Sequence, residues 1–289
     1  MYRKKRKGAL PVKREMPRLQ QLAFWWSDRL KKVYKLTDRQ KIHVLGTVAS
    51  TNDVCRRMAA QGAPDGTVVL AEGQTAGRGR RGRSFQSAKG KGLYLSILWR
   101  PDCPAAELLP LTALGAVAAC RAVGRVSCFQ PGIKWPNDLT LAGGKLAGIL
   151  TETQLAADGS VEYVVLGIGI NVHQKPEEFP EELRSLATAL DRHQTEPVSR
   201  PALAAELIDQ LDQLRSEVLV QPQLWLEEYR RRCIHVGRPI WLLGPEGQRR
   251  QVTVLGIDEQ FGLQVQYEDG RQESIRSGEI SVRGMEGYL

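Results

Sequence analysis

The sequence predicts an α+β fold, a mixed sheet flanked by helices and followed by a small C-terminal β-barrel. Between residues 41 and 172, several strand-like segments follow one another without helices between them, which disfavours a doubly wound parallel sheet. Helical periodicity is confined to a few longer segments. After Gly237 the pattern changes to short alternating segments separated by turn residues, which is typical of a small barrel.

The strand candidates are short runs rich in β-branched and aromatic residues. They are KIHVLGTV, TVVLAEG, GLYLSILWR, CFQPGIKW, KLAGILTET and VEYVVLGIGINV, at residues 41–48, 67–73, 92–100, 128–135, 145–153 and 161–172. Helices are predicted where apolar residues recur every three or four positions, over residues 18–36, 51–61, 105–123, 200–218 and 222–233.

The length of 289 residues suggests about two domains. We predict a basic arm over residues 1–18 and a helical extension over 19–41. They are followed by a main domain over 42–235 and a C-terminal β domain over 236–289.

The net charge of +9 is concentrated at the amino terminus. Residues 1–18 hold eight lysines and arginines against the single acid Glu15, so this arm carries +7 and the rest of the chain +2. Such an arm is typical of a solvated segment and less often contacts a polyanion. No apolar run approaches the roughly 18 residues that span a bilayer, and none follows the basic start as in a secretory signal. A cytoplasmic protein without membrane contact is therefore predicted.

Cysteine and histidine spacing argues against structural disulfides and zinc. No two of the five cysteines lie three positions apart, and none of the four histidines has HExxH spacing. Any metal is therefore predicted to be Mg²⁺, held by oxygen ligands and phosphates.

The segment TAGRGRRGRSFQSAKGKG, at residues 75–92, has the most unusual composition. Between Glu72 and Asp102 there are seven basic residues and no acid. Glycines allow the backbone to approach a ligand, and guanidinium groups bind phosphate or carboxylate through paired hydrogen bonds. Because the cluster repels itself, we predict a mobile loop that becomes ordered on a polyanion such as a nucleoside triphosphate. A solvated basic loop or an RNA contact is the alternative, and composition alone does not decide between them.

Three further segments each allow a structural or a functional interpretation. The Ser-Thr-Asn run at 50–52 either caps a helix or hydrogen-bonds a neutral polar ligand. Asn137 and Asp138 either form a turn or supply oxygen ligands near a metal-bound phosphate. Lys145 is either a solvated charge on a strand edge or an electrostatic contact to a transferring phosphate. No GxxxxGK[ST] motif occurs, which disfavours an ordinary P-loop NTPase.

Five motifs, in order and spacing, resemble those of biotin protein ligase: STN at 50–52, AEGQTAGRGRRGRSF at 71–85, KWPNDL at 134–139, GGKLAGIL at 143–150 and GIGINV at 167–172. The final GRPIWLL…GEISVRG is similar to the SH3-like domain of the same family. The resemblance covers residues 42–289. It implies a catalytic domain like that of class II aminoacyl-tRNA synthetases.

The resemblance also implies a two-step reaction. Biotin and MgATP would give biotinyl-5'-AMP and pyrophosphate, and the biotinyl group would pass to a lysine of a biotin carboxyl carrier protein, typically of acetyl-CoA carboxylase. Matched by motif position, the expected biotin-binding residues are Ser50, Thr51, Asn52, Gln74, Arg78, Gly79, Arg80 and Lys145. The expected ATP- and adenylate-binding residues are Arg78, Arg80, Arg83, Phe85, Asn137, Lys145 and Asn171.

Among these residues, Lys145 and Arg80 are expected to be catalytic, and Asn137 with Asp138 to position Mg²⁺. Many relatives carry Trp where this chain has Phe85, which predicts a smaller contact with adenine. The short segment before the ligase motifs predicts that no winged helix-turn-helix repressor and no specific DNA operator are involved. Both a monomer and a homodimer are compatible with the sequence.

Two alternatives remain open. A lipoate-protein ligase would share the fold but would lack the GRGRRGR loop. A nucleic-acid-binding module acting through the arm and the loop would bind with strong salt dependence.

Overall fold

The computed structural model describes residues 42–217, 221–244, 248–276 and 281–285. The predicted arm over 1–18, the extension over 19–41 and the helix over 18–36 lie outside these residues.

Seven strands form the first sheet, in the order β1-β2-β3-β7-β6-β5-β4. The strands are β1 Ile42–Val48, β2 Val68–Gln74, β3 Gly92–Trp99, β4 Gly132–Lys134, β5 Asp138–Leu141, β6 Gly144–Leu155 and β7 Val161–Asn171. β1 and β2 are parallel and the remaining neighbours are antiparallel. The predicted mixed sheet is confirmed.

Two elements around the KWPNDL segment differ from the prediction. The strand expected over 128–135 is only three residues long, and it begins immediately after Pro131, which lacks the N–H that a strand needs. The turn expected before Asp138 is present at residues 135–137, but the strand β5 that follows it was not predicted. β5 forms because it pairs with β4 on one side and with β6 on the other.

Within the described ranges, four α-helices follow the predicted periodicity. They are α1 Thr51–Ala60, α2 Leu111–Val126, α3 Arg200–Glu217 and α4 Pro222–Arg232. The expected start of the second helix at 105 is wrong, because residues Ala105–Leu108 form a separate 3₁₀ turn before Pro110.

Helix α2 lies closely against the sheet. A Cβ on Gly115 would approach the side chains of Leu166 and Ile149 at 3.2–3.3 Å, closer than an ordinary van der Waals contact, so glycine suits this crossing. By length and composition alone, the segment Ala105–Val126 could cross a membrane, so the expectation that no run of this kind exists is wrong. The most apolar 18 residues of this segment are 67% buried inside the protein. The apolar composition is therefore explained by packing in the core.

Five antiparallel strands form the second sheet, in the order β11-β10-β9-β8-β12. They are β8 Pro239–Leu243, β9 Arg249–Ile257, β10 Leu263–Gln266, β11 Gln272–Ile275 and β12 Ser281–Gly284. This sheet agrees with the small C-terminal β-barrel predicted from the sequence. It is joined to the first sheet through Trp135, whose Nε1 donates to the carbonyl oxygen of Phe261 at 3.0 Å.

His235 lies between α4 and β8 and is 2% exposed. Burial, followed by the charges of Lys134 and Arg238, lowers its pKa from 6.5 to about 4. The folded protein therefore holds a neutral imidazole between pH 6.5 and 4, whereas the unfolded chain binds a proton. We expect this difference to remove roughly 3 kcal/mol of stability as the pH falls through that window.

Urea unfolding at pH 7, 5.5 and 4.5 measures this loss against the variant His235→Gln, which does not titrate. The free energy of unfolding of the variant should fall less steeply with decreasing pH. Parallel profiles for the two proteins would contradict the assignment to His235.

Candidate functional site

The basic segment that connects β2 to β3 folds back on itself over the sheet. The N–H of Phe85 donates to the carbonyl oxygen of Gly77 at 2.8 Å, and that of Gly79 donates to Arg83 at 2.7 Å. A Cβ at position 77 would lie 2.4 Å from the Phe85 carbonyl oxygen, so this closure requires glycine. We call residues 75–91 the basic loop.

A network of neutral polar side chains lies beside the basic loop, at the start of α1. Ser50, which precedes α1, forms no capping hydrogen bond with its side chain, so the capping interpretation is wrong for this residue. The N–H and Oγ1 of Thr51 both donate to Gln74 Oε1, at 2.8 and 3.1 Å. Gln74 Nε2 donates to Ser87 Oγ at 2.8 Å, which connects this network to the basic loop.

Asn52 is held from both ends of its amide. Its Oδ1 lies 2.6 Å from the hydroxyl of Ser96, and its Nδ2 donates to Glu152 Oε2 at 2.7 Å. A Cβ at Gly167 would lie 2.1 Å from Asn52 Oδ1, so glycine is required beneath it. Sequence reasoning missed Ser96 and Glu152. A serine at the centre of the apolar run GLYLSILW was the signal for the first.

This network lines a cavity of about 30 Å³, which we call the neutral compartment. Five of the predicted biotin residues line it: Ser50, Thr51, Asn52, Gln74 and Arg78. The other three, Gly79, Arg80 and Lys145, line a larger neighbouring cavity instead. Arg78 and Phe85 line both cavities, so the two are adjacent.

The larger cavity, which we call the cationic compartment, has a volume of about 260 Å³. Every residue predicted to bind ATP lines it: Arg78, Arg80, Arg83, Phe85, Asn137, Lys145 and Asn171. Phe179, Leu183 and Leu186 form an apolar part of its wall. A lining that combines basic side chains with an apolar surface suits a ligand with both phosphates and a flat ring.

Lys145 lies on β6, which pairs with β5 and β7, so the interpretation as an edge-strand charge is wrong. Its Nζ lies 2.7 Å from Asp138 Oδ1. Next to this pair, Asn137 accepts a hydrogen bond from Arg80 Nη1 at 3.2 Å and donates to the Ile149 carbonyl oxygen at 2.9 Å. The β4–β5 hairpin therefore brings amide and carboxylate oxygens among the basic side chains.

Three basic residues that line this cavity, Arg81, Lys134 and Arg283, were not among the predicted site residues. Arg283 comes from β12 of the second sheet, and Lys134 ends β4. Burial, followed by the charge of Arg283, lowers the pKa of Lys134 to about 7. Burial is also the main cause of the lowered pKa of Arg80. A bound anion would oppose both effects.

The side chains of Phe85 and Arg78 in the basic loop also contact the sheet. The Phe85 ring packs over β6 and β7, where a Cβ on Gly169 would come within 2.6 Å of its Cε1. Arg78 Nη2 lies 2.6 Å from Asp53 Oδ1 and 3.0 Å from Glu152 Oε2. The expectation that charge in the loop is uncompensated is therefore wrong for Arg78, because its partners come from distant parts of the sequence.

Among the residues that the structure describes, there is no group of three or more histidine, cysteine, aspartate or glutamate side chains suited to a metal ion. Asp138 and Asn137 are the oxygen donors predicted for Mg²⁺. One carboxylate together with substrate phosphates is a common arrangement for Mg²⁺, so these residues fit an ion that arrives with a nucleotide.

Comparison with protein families gives two matches that do not overlap. Residues 45–171 match the Biotin/lipoate A/B protein ligase family. Residues 235–283 match the Biotin protein ligase C terminal domain.

Relatives and solved structures agree with these matches. Biotin--[acetyl-CoA-carboxylase] ligase of Mycobacterium tuberculosis is 34% identical over 250 residues, covering 83% of this chain and 88% of that protein. Bifunctional ligase/repressor BirA of Bacillus subtilis is 38% identical over 191 residues, 62% of this chain, and the match spans 58% of its own length. The structure of biotin protein ligase from Aquifex aeolicus in complex with biotin and ATP superposes with a TM-score of 0.71 at 29% identity. It covers 84% of this chain and 99% of that one.

Proposed function

The chain belongs to the biotin protein ligase family, and from this premise we propose that it is an ATP-dependent biotin protein ligase. The observation that carries the proposal is the adjacency of the neutral and cationic compartments, with Arg78 and Phe85 lining both. Biotin has a neutral ring and a carboxylate tail and must lie next to the triphosphate of ATP, so a ligase of this kind needs a neutral compartment beside a cationic one.

Biotin would bind through the neutral compartment. Its ureido ring is uncharged and rich in donors and acceptors, which the side chains of Ser50, Thr51 and Asn52 can match. A cavity of about 30 Å³ holds little more than a water molecule, so the Phe85 ring must leave its place over Gly169 when the ligand enters. The displaced ring would then be available to pack on the adenine.

Adenylate formation would take place in the cationic compartment. A carboxylate oxygen of biotin attacks the α-phosphorus of ATP, the bond from that phosphorus to the bridging oxygen breaks, and pyrophosphate leaves. No protein nucleophile is required, so the protein acts by alignment and by stabilising charge. Lys145 and Arg80 would contact the carboxylate and the α-phosphate, while Arg83 and Asn171 would bind the rest of the nucleotide.

Mg²⁺ and the acceptor complete the proposal. Asp138, with Asn137, would hold Mg²⁺, which neutralises charge on the phosphates. In the second step, the amine of a carrier lysine attacks the biotinyl carbonyl carbon and AMP leaves. The acceptor would be a biotin carboxyl carrier protein of acetyl-CoA carboxylase.

Lipoate-protein ligase is a weaker candidate. The family matched over residues 45–171 includes both biotin and lipoate ligases, but the domain matched over 235–283 is that of biotin protein ligase. The basic loop with its GRGRRGR run also favours biotin.

Exchange of labelled pyrophosphate into ATP tests the proposal. We expect exchange that depends on biotin, is not supported by lipoate and persists after deletion of residues 1–18. Salt-sensitive RNA or DNA binding that survives this deletion and is lost in Arg80→Ala, together with absent exchange, would instead support the nucleic-acid interpretation.

A further inference from the structure

Glu152 stands where two parts of the site meet. It lies on β6, and 24% of its side chain is exposed. Its Oε2 accepts a hydrogen bond from Asn52 Nδ2 at 2.7 Å and another from Arg78 Nη2 at 3.0 Å. One carboxylate oxygen thus contacts both a wall of the neutral compartment and the beginning of the basic loop.

The contact with Asn52 fixes how that amide is presented. Ser96 lies 2.6 Å from Asn52 Oδ1, and the acceptor at Glu152 binds the Nδ2 end. An amide with an acceptor at its nitrogen and a hydroxyl at its oxygen has a single favourable orientation. Removing the carboxylate would leave the Nδ2 end without this acceptor, and the amide could turn.

The contact with Arg78 fixes the loop. Within the part of the chain that the structure describes, Arg78 has two carboxylate partners, and of these Glu152 also accepts a hydrogen bond from Asn52, which lines the neutral compartment. Asp53 Oδ1 lies closer to Arg78, at 2.6 Å, but its side chain is more exposed than that of Glu152, 38% against 24%. Arg56 Nη1 lies near both carboxylates, 3.8 Å from Asp53 Oδ1 and 3.6 Å from Glu152 Oε1, and so does not distinguish them. Glu152 is therefore the partner through which Arg78 and Asn52 are connected.

From this geometry we infer that Glu152 is a positioning residue that couples closure of the basic loop to the orientation of Asn52. The inference rests on the proposed function and extends it to a residue outside the predicted site. Glu152 acts on the ligand through its two neighbours, so biotin binding and adenylate retention both depend on its carboxylate.

The matched pair Glu152→Ala and Asp53→Ala isolates this role. Each substitution removes one carboxylate from Arg78, but only the first removes the acceptor from Asn52. Both variants should release chemically synthesised biotinyl-5'-AMP several times faster than the wild type, about tenfold for Glu152→Ala. Only Glu152→Ala should also weaken the binding of biotin alone, measured by calorimetry, by about tenfold.

The variant Glu152→Gln adds a rescue that a merely structural role would not produce. Its side-chain oxygen can still accept from Asn52, whereas its amide carries no charge for Arg78. We expect biotin affinity to return to near the wild-type value while adenylate release stays fast. This variant also decides the question if Glu152→Ala fails to fold, as a melting curve would reveal.

Either of two results would overturn the inference. One is equal biotin affinity in Glu152→Ala and Asp53→Ala. The other is biotin binding in Glu152→Gln as weak as in the alanine variant. Both assays measure the binding of added ligands and require no catalysis. A wild type that binds biotin but shows no pyrophosphate exchange would therefore contradict the proposed function and not this inference.

Discussion

Replacing Lys145 by alanine is expected to slow adenylate formation by about a hundredfold or more, comparable to the loss of one donor from an oxyanion hole. Lys145 places an ammonium group in the cationic compartment, 2.7 Å from Asp138. Charge develops on the phosphates as biotin attacks, and a fixed cation in a partly closed site stabilises it more than water would. Single-turnover formation of labelled adenylate measures the effect.

Biotin affinity should fall far less than the rate in Lys145→Ala, because the ureido ring would bind in the neutral compartment, which Lys145 does not line, and only the carboxylate would lose a contact. The conservative variant Lys145→Arg keeps the charge and should retain part of the rate. If biotin affinity fell as much as the rate, Lys145 would stabilise the bound biotin and not specifically the transition state. An unchanged rate of adenylate formation would refute the role given to it.

Local pattern was enough to predict much of the fold. Every predicted helix within the described residues is present, and its ends move by a few residues except at 105. The mixed sheet follows from successive strands that lack the helix a parallel connection needs. β5 could not be predicted in this way, because Asp138–Leu141 is a strand only through its partners β4 and β6.

The predicted site residues lie around two adjacent cavities, but their division was not foreseen. Gly79, Arg80 and Lys145 line the cationic compartment and not the neutral one. The missed residues are those whose importance depends on long-range contacts. Glu152 is 100 residues from Asn52 in sequence, and Arg283 reaches the site from the second sheet. A resemblance carried by short motifs cannot indicate such partners.

The close approach of Asn52 to β7 gives the other large expected effect. A Cβ at Gly167 would lie 2.1 Å from Asn52 Oδ1, and Asn52 is short, 4% exposed and hydrogen-bonded at both ends of its amide. It cannot simply turn aside, so Gly167→Ala must displace it and break its contacts with Ser96 and Glu152. Forcing an extra methyl group into a packed site typically costs about 1–3 kcal/mol. If this cost is opposed to biotin binding, it lowers the affinity for biotin by about 5- to 150-fold.

Gly244→Ala, at the end of β8 in the second sheet and outside both compartments, is the control. There the added Cβ would lie 3.7 Å or more from Gln248, an ordinary van der Waals contact, so biotin affinity should stay near the wild-type value. Calorimetric titration of both variants with biotin measures the difference, and melting curves separate a lost site from a lost fold. Equal affinity in the two variants would mean that Asn52 can leave its position without effect, and the neutral compartment would not be where the ureido ring binds.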